Sequence, residues 1–173
     1  MSEQSPMKLI DAHHHLWEPQ ALPYTWLRQI GKPKPFGDPT AIQRDYLPED
    51  YLQDFTEAKD FELVGTVHVQ ADSALPEPVS ETNWLDQLNS SIPSGIVGFA
   101  DLSKDNLREI LGQHCNSRKF RGVRQIIGRL DNRTDLSFTS EDLLKKATWR
   151  KGFSLLEELY SNIIVSNSTR WDT

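Results

Sequence analysis

The sequence is short of cysteine, of long hydrophobic runs and of excess positive charge. Its 173 residues include one cysteine, Cys115, which excludes an internal disulfide framework and is typical of proteins in a reducing compartment. No apolar run approaches the roughly 18 residues that a membrane-spanning helix needs, and the opening MSEQSP is too polar for a signal peptide. With 25 acidic against 19 basic side chains, the formal charge is −6, so we expect no nucleic-acid or membrane partner. These deficits predict a soluble, cytoplasmic, globular protein.

The order of the predicted elements favours an α/β fold in a single domain over residues 1–173. A composition of 37% hydrophobic and 25% charged residues is ordinary for a globular protein of this size. Apolar runs that predict strands alternate with patterns of helical periodicity. The predicted strands lie at 9–12, 62–70, 96–100 and 120–127, with a fifth beginning at 162–165, and the predicted helices lie at 48–58, 80–89, 107–114 and 140–160. Such alternation implies right-handed βαβ crossovers and a parallel sheet.

Two of the predicted helices carry further expectations. In the helix that begins at Pro48, the side chains of Leu52, Phe55 and Ala58 recur at nearly helical spacing, which predicts its buried face. The helix at 140–160 contains Gly152, and a glycine inside a helix is a position where the helix can break.

A long loop from about residue 17 to 45 follows the first predicted strand. Its five prolines exclude a regular helix or a central strand. The loop also contains large apolar side chains, which a solvated linker would lack: Trp17, Tyr24, Trp26, Leu27 and Phe36. We therefore predict a packed loop of the functional type, since long loops in compact domains are usually lids or binding loops.

The sharpest local signal is the segment Asp11-Ala12-His13-His14-His15. Side chains alternate along a strand, so His13 and His15 project to one face and His14 to the other. Two imidazoles about 7 Å apart at the backbone can close on one divalent cation, and imidazole suits zinc, iron or manganese better than calcium or magnesium. The segment predicts a functional site at His13 and His15, the alternative being polar surface at a strand end. Asp11 either orients a histidine or is structural.

Polar residues also mark the ends of later strands. His68 and Gln70 share a face near the end of the second predicted strand, where they either line a site or are satisfied buried groups. Arg121 and Arg124, three residues apart, are predicted on opposite faces of the fourth strand. Arg124 is the better candidate for a substrate carboxylate, because it lies nearer the carboxyl end of the strand. Cys115 is expected to be a small buried hydrophobe.

Five short motifs resemble those of a known family. IDAHHHLW, RDYLPEDYLQDF, VGTVHVQAD, IVGFADL and FRGVR occur in this order. Together they resemble the amidohydrolase-related family of TIM-barrel hydrolases, which includes pyrone dicarboxylate lactonase and sugar lactonases, over about residues 9–159. The resemblance implies hydrolysis of a lactone, ester or amide of a small carboxylate- or sugar-derived substrate. In that chemistry a metal or paired histidines polarise the carbonyl, and an aspartate of the eighth strand activates water.

The resemblance also implies roles for individual residues. His13 and His15 match the two histidines at the end of the first barrel strand, which bind a divalent metal in many members and contact substrate without metal in others. Zinc or manganese is the expected metal. Gln70 and Arg124 match positions near the substrate.

The sequence departs from the family pattern in its length. A (β/α)8 barrel needs about 250 residues, so we expect the N-terminal half of a barrel, with four to five parallel strands. No histidine follows His114 and Asp172 lies in the last two residues, so the family's later histidine and its eighth-strand aspartate have no counterpart. The match ends inside a helix, which predicts that residues 160–173 form the divergent tail of a truncated or frame-shifted product. An open half-barrel is expected to self-associate through its strand edges.

Three functions therefore remain open on the sequence. The first is an amidohydrolase or lactonase, the second a non-catalytic remnant that binds a small anion, a metal or a partner, and the third a metal-binding structural protein. Two histidines and at most Asp11 leave a metal short of one protein ligand, so we expect weak metal affinity.

Overall fold

The computed structural model describes residues 5–31, 37–72, 74–134 and 137–159. Within these ranges strands alternate with helices, as predicted: β1 (Met7–His14), α1 (Pro48–Phe55), β2 (Phe61–Val69), α2 (Ser80–Gln87), β3 (Gly95–Phe99), α3 (Leu107–His114), β4 (Phe120–Arg124) and α4 (Ala147–Leu159). Short 3₁₀ helices lie at Thr40–Ile42 and Leu143–Lys145. The predicted strand at 162–165 and the predicted tail at 160–173 fall outside the described residues. None of the described helices is long and apolar enough to cross a membrane.

The described strands form one parallel sheet in the order β1-β2-β3-β4, so each strand pairs with the next one along the chain. Strands joined by helices in this order make a partial (β/α)8 barrel, and the predicted fold class is confirmed. Because all the strands are parallel, their carboxyl ends meet at one edge of the sheet, where proteins of this class bind ligands. The pairing of β1 with β2 is irregular between Asp11 and His14, immediately before that edge.

Helices cover the sheet through two main clusters of buried side chains. The larger cluster packs α3 and α4 against the end of the sheet at β3 and β4; its members include Ala100, Leu102, Leu107, Ile110, Leu111, Val123, Trp149 and Leu156. The second packs α1 and α2 near β1 to β3 and comprises Leu16, Tyr51, Trp84, Leu85, Ile92 and Ile96.

Helix α4 runs through Gly152 without a break. A Cβ atom at this position would lie 1.9 Å from the carbonyl oxygen of Leu102 and 2.9 Å from a methyl carbon of Leu107. Glycine therefore lets α4 approach the segment after β3 more closely than any other residue would allow. Gly152, where the sequence suggested that the helix could break, is therefore a point of close contact between α4 and the core.

Two predictions of burial are wrong. Helix α1 buries Pro48 and Tyr51, and of the predicted apolar face Phe55 and Ala58 are half-buried, but Leu52 is 42% exposed. Cys115 is exposed, since it caps the carboxyl end of α3 on the outside of the molecule.

The long loop after β1 is packed, as predicted. Trp17, Tyr24 and Leu27 are buried together with Leu75, in a third cluster that lies over the carboxyl end of β2. Trp17 also pairs with Tyr46 through an isolated antiparallel bridge, which closes the loop on itself. Trp26 is half-buried against this cluster, and Phe36 lies outside the described residues.

Candidate active site

His13 and His15 lie side by side at the carboxyl end of β1. Their ring centroids are 5.0 Å apart, and the ring planes meet at 78°. The ring of His14 is buried against the ring of Tyr51 at a centroid distance of 4.6 Å, and the ring of His68 lies 5.9 Å from that of His14 and 6.2 Å from that of His15. The imidazoles of His13 and His15 thus lie together at the carboxyl edge of the sheet, while the strict alternation of the three histidines stays a prediction, because the pairing of β1 with β2 is irregular between Asp11 and His14.

The hydrogen bond of His15 fixes which of its nitrogens can act. Nδ1 lies 2.6 Å from the carbonyl oxygen of Val69 at the end of β2. A carbonyl oxygen only accepts hydrogen bonds, so Nδ1 carries the proton and Nε2 keeps its lone pair. This is the arrangement of histidines that bind a metal through one ring nitrogen and are oriented through the other.

The three histidines are held in the neutral state. Burial, and after it the neighbouring His68, lowers the pKa of His15 to about 3 and that of His14 to about 4. The pKa of His13 is also lowered, by burial first and then by the positive charge of Arg124. Neutral imidazoles offer lone pairs rather than positive charge, so His13 and His15 are suited to bind a cation or to accept a proton.

Arg124, at the end of β4, is the cation of this site. It lowers the pKa of both His13 and His15, and one of its Nη atoms donates a hydrogen bond of 2.5 Å to the carbonyl oxygen of Gln70. Its Nε atom is buried and has no hydrogen-bond partner in the described part of the chain. Arg121 is exposed and bonds to main-chain carbonyls of its own segment. Burial lowers the pKa of Arg124, but a guanidinium stays charged at neutral pH.

Gln70 follows β2 and is 1% exposed. Its main-chain carbonyl holds Arg124, and its side-chain oxygen, also buried, has no hydrogen-bond partner among the described residues. The structure therefore brings Gln70 next to Arg124, as an anchor for the guanidinium.

Asp11 contacts the main chain of the histidine segment and not a histidine ring. One carboxylate oxygen accepts the N–H of His13 at 3.0 Å, and the other accepts the hydroxyl of Tyr51 at 2.7 Å. Burial raises the pKa of Asp11, but these two hydrogen bonds outweigh it and leave the pKa below its ordinary value. Asp11 thus supports the irregular backbone that precedes His14.

A buried polar network behind the site was missed from the sequence. His68 is fully buried, and its Nε2 atom lies 3.6 Å from the carboxylate of Glu81 on α2. The same carboxylate accepts the hydroxyl of Tyr24, from the packed loop, at 3.0 Å. A signal was available, because Glu81 precedes the buried Leu85 by four residues and so lies on the same face of the helix.

The donor set at this edge fits part of a metal site. His13 and His15 supply two imidazoles on one face, and the Nδ1–H of His15 is already committed to a carbonyl. Across the described ranges, no group of three or more His, Cys, Asp or Glu side chains is arranged to hold a metal ion. The described residues can therefore contribute two ligands to a divalent cation, but not a closed site.

Comparison with known proteins finds a sequence relative in a rhizobial bacterium. The chain is 36% identical over 154 residues to the uncharacterized protein y4mH of Sinorhizobium fredii. The match covers 88% of this chain and 51% of that protein, so the chain spans about half the length of its relative. No protein-family model matches the chain.

Three solved structures share the fold. Amidohydrolase 2 from Bifidobacterium longum subsp. infantis superposes with a TM-score of 0.60 at 14% identity, over 92% of this chain and 50% of its own. An amidohydrolase from Burkholderia multivorans with bound HEPES superposes with a TM-score of 0.58 at 20% identity, over 93% of this chain and 47% of its own. A probable 2-pyrone-4,6-dicarboxylic acid hydrolase from Acinetobacter baumannii with citric acid bound superposes with a TM-score of 0.55 at 17% identity, over 91% of this chain and 48% of its own.

These structures are TIM-barrel amidohydrolases, and the chain matches about half of each. The coverage agrees with four described parallel strands, half the number in a closed (β/α)8 barrel. The resemblance drawn from the sequence motifs is confirmed at the level of the fold: the chain has the fold of half an amidohydrolase barrel.

Proposed function

We propose that the chain is part of an amidohydrolase-type hydrolase that acts on a lactone, ester or amide of a small carboxylate- or sugar-derived molecule. One observation carries this proposal: the carboxyl edge of the sheet brings two neutral imidazoles, His13 and His15, within electrostatic range of the half-buried cation Arg124. A substrate that contains both a reactive carbonyl and a carboxylate would contact the imidazoles through the carbonyl and the guanidinium through the carboxylate.

In this proposal Arg124 binds the carboxylate of the substrate. A guanidinium matches a carboxylate in shape and charge, and the unsatisfied Nε–H of Arg124 would gain an acceptor on binding. Gln70 holds the guanidinium from its main-chain carbonyl, and its side-chain oxygen can accept a hydrogen bond from the substrate. The Acinetobacter structure that shares the fold contains citric acid, a small carboxylic acid, which supports small carboxylates as the substrate class.

His13 and His15 are the proposed catalytic and metal-binding residues. The tautomer of His15 leaves a lone pair on Nε2, so this ring can accept a proton from water or hold a zinc or manganese ion, but it cannot donate to a carbonyl oxygen from that atom. A bound divalent ion would supply polarisation of the carbonyl and a lower pKa for water. Arg124 remains the group that neutralises substrate charge in either case.

Citrate binding tests the carboxylate subsite. Isothermal titration calorimetry with citrate is expected to show binding that Arg124→Gln weakens by about tenfold or more, because a charge-assisted hydrogen bond contributes on the order of 1.5–3 kcal/mol. Arg121→Gln is the matched control, since it removes the same charge from the same strand on the exposed side. Equal losses in the two variants would show that citrate responds only to net charge.

Hydrolysis assays separate the proposal from its alternative, a non-catalytic remnant. We expect turnover of lactones or esters with zinc or manganese present, and loss of turnover in both His13→Ala and His15→Ala. Citrate binding without turnover would favour the remnant. Stoichiometric metal binding without turnover or citrate binding would favour a structural metal protein.

The same reasoning extends to compartment and assembly. A sequence with one cysteine needs no oxidising environment, so we place the protein in the cytoplasm. In the described sheet β1 and β4 each pair on one side only, and such edges promote self-association.

A further inference from the structure

Behind the candidate site, His68 on β2 and Glu81 on α2 form a buried pair that the proposed chemistry does not use. His68 is 0% exposed and Glu81 is 3% exposed, and 3.6 Å separates Nε2 of the one from Oε2 of the other. A buried carboxylate is costly unless it is well hydrogen-bonded, and apolar side chains could fill the same space between a strand and a helix. The presence of this pair therefore calls for a role beyond packing.

The hydrogen bonds around His68 assign its tautomer. The main-chain N–H of Leu16 donates to Nδ1 of His68 at 3.1 Å. A nitrogen that accepts a hydrogen bond carries no proton, so the proton of the neutral ring is on Nε2, the atom that faces Glu81. The carboxylate of Glu81 thus favours the one tautomer of His68 that can hold Leu16.

Glu81 is itself fixed by two other segments of the chain. Its Oε1 atom accepts the hydroxyl of Tyr24 at 3.0 Å, and both of its oxygens lie 3.1 Å from the N–H of Ala71. Tyr24 belongs to the packed loop and Ala71 follows β2, so the carboxylate is held at the point where loop, strand and helix meet. Its direction toward His68 is therefore set by the fold.

The network ends on the candidate site. Leu16, which His68 holds, directly follows His15, and the carbonyl that accepts the Nδ1–H of His15 belongs to Val69, which directly follows His68. Two hydrogen bonds therefore join the residue pair 15–16 to the residue pair 68–69, one from the main chain of Leu16 and one from the side chain of His15. They continue the contact between β1 and β2 past its last paired residues, His14 and His68.

We propose that Glu81 and His68 are positioning residues that lock the backbone after His15 and so aim the Nε2 lone pair of His15 into the candidate site. This inference rests on the proposed function only for what the lone pair does there. The device itself consists of the Glu81–His68 contact and the two hydrogen bonds, and it is present whether or not a substrate is bound.

Nuclear magnetic resonance on the uniformly ¹⁵N-labelled wild-type protein tests the device without any ligand. We expect His68 to show the Nε2–H tautomer, His15 the Nδ1–H tautomer, and a through-hydrogen-bond coupling between the Leu16 amide nitrogen and Nδ1 of His68. A His68 ring that is protonated on Nδ1, or the absence of that coupling, overturns the proposal.

Two substitutions of His68 separate positioning from packing. In His68→Asn, the amide oxygen occupies nearly the place of Nδ1 and can still accept the N–H of Leu16, whereas His68→Gln places its amide near Nε2 and removes that acceptor. We expect His68→Gln to mix the tautomers of His15 and to speed amide exchange at Leu16, and we expect His68→Asn to restore both. The proposal is contradicted if folded His68→Gln keeps the wild-type tautomer of His15. It is also contradicted if His68→Gln and His68→Asn change the His15 tautomers and the Leu16 amide exchange equally.

Glu81→Gln provides a second route if His68→Gln does not fold. Its amide can turn its NH₂ group toward His68, which then favours the Nδ1–H tautomer and breaks the bond to Leu16. Citrate titration then links the device to the site: we expect about tenfold weaker binding in His68→Gln and no more than about twofold in His68→Asn. If wild-type protein fails to bind citrate, the proposed function fails, while the tautomers of His15 and His68 still decide the positioning proposal.

Discussion

The two halves of the sheet are packed very differently. In β3 the first four residues, Gly95 to Gly98, are all buried, whereas seven of the eight residues of β1 are exposed or half-buried. Large apolar side chains remain open to solvent on β1 and β2: Met7 is 67% exposed, Ile10 65% and Val64 48%. The histidines of the candidate site stand on the less covered half, and Arg124 stands on the better covered one.

This contrast shows that the two halves hold their functional groups by different means. Arg124 extends from a strand that is backed by the large apolar cluster of α3 and α4. His13, His15 and the adjoining Leu16 depend instead on directed hydrogen bonds at the end of an exposed strand. The acceptors of these bonds are Asp11, the carbonyl of Val69 and Nδ1 of His68. Substitutions should therefore affect mainly the stability of the fold on the β3–β4 side, and mainly the geometry of the site on the β1–β2 side.

The largest expected effect is Gly152→Ala on the well-packed side. The new Cβ would meet the carbonyl oxygen of Leu102 at 1.9 Å, so α4 must move away from the core, and we expect a loss of about 3 kcal/mol in the free energy of unfolding. Gly112→Ala in α3 is the matched control, because nothing lies within 4 Å of its Cβ and alanine favours a helix by roughly 0.5–1 kcal/mol. Urea denaturation measures both, and equal stabilities would mean that the close contact at Gly152 is absent.

A smaller effect is expected from acid on His114, which is buried under the same half. Its Nε2–H donates to the carbonyl of Phe99 and its Nδ1 accepts the hydroxyl of Thr82, each at 2.9 Å. Burial lowers the pKa of His114 below 6.5, although the bond to Phe99 and the charge of Glu81 oppose the shift. The unfolded chain therefore binds the proton more tightly, so the stability due to neutral His114 is complete above about pH 6.5 and is lost as the pH falls.

The variant His114→Gln separates the pH-dependent stability due to His114 from the contributions of the other histidines. At pH 7.5 we expect the variant to be about 2 kcal/mol less stable than the wild type, through its lost hydrogen bonds. The gap between the two should narrow from pH 7 to pH 5, as measured by urea denaturation at each pH. A gap that stays constant over this range would show that His114 does not take up a proton on unfolding.

The smallest effect on the free energy of unfolding, but a clear effect on self-association, is expected from a substitution on the exposed strand β1. Ile10→Lys places a charge on the exposed edge strand and should reduce self-association in light scattering while changing the free energy of unfolding by at most about 0.5 kcal/mol. Leu52→Lys, at an exposed position on α1, is the control. Protein that is monomeric before the substitution, or that associates equally in both variants, would remove the open edge as an interface.

Much of the fold could be predicted from the sequence, because alternating strand and helix patterns are local signals. Strand β2 was expected at 62–70 and lies at Phe61–Val69, and α3 lies where the spacing of its apolar residues placed it. The buried face of α1 could be predicted only in part. Phe55 and Ala58 are half-buried, whereas Leu52 is exposed and the buried residue beside it is Tyr51, whose hydroxyl donates to Asp11 across a sequence separation that local spacing does not reveal.

The candidate site divides along the same line. Strand alternation predicts that His13 and His15 share a face, and their rings do lie close together, although β1 ends at His14 and its pairing is irregular there. The electrostatic effect of Arg124 on both rings agrees with the shared edge of a parallel sheet. The involvement of Glu81 and Tyr24 is different, since these residues lie 57 positions apart in sequence and meet only once the loop has folded over α2. Such a contact leaves only a weak trace in the sequence, here one acidic residue on an otherwise buried helix face.

The indole groups that hold the loop give the protein an optical reporter of its own. Trp17 and Trp26 donate from the loop to the carbonyls of Arg44 and Ala71, and Trp84 donates from α2 to Glu18. Three of the five tryptophans therefore report on the contacts of the packed loop after β1. Intrinsic fluorescence can accordingly follow the loss of these contacts in solution without any attached dye.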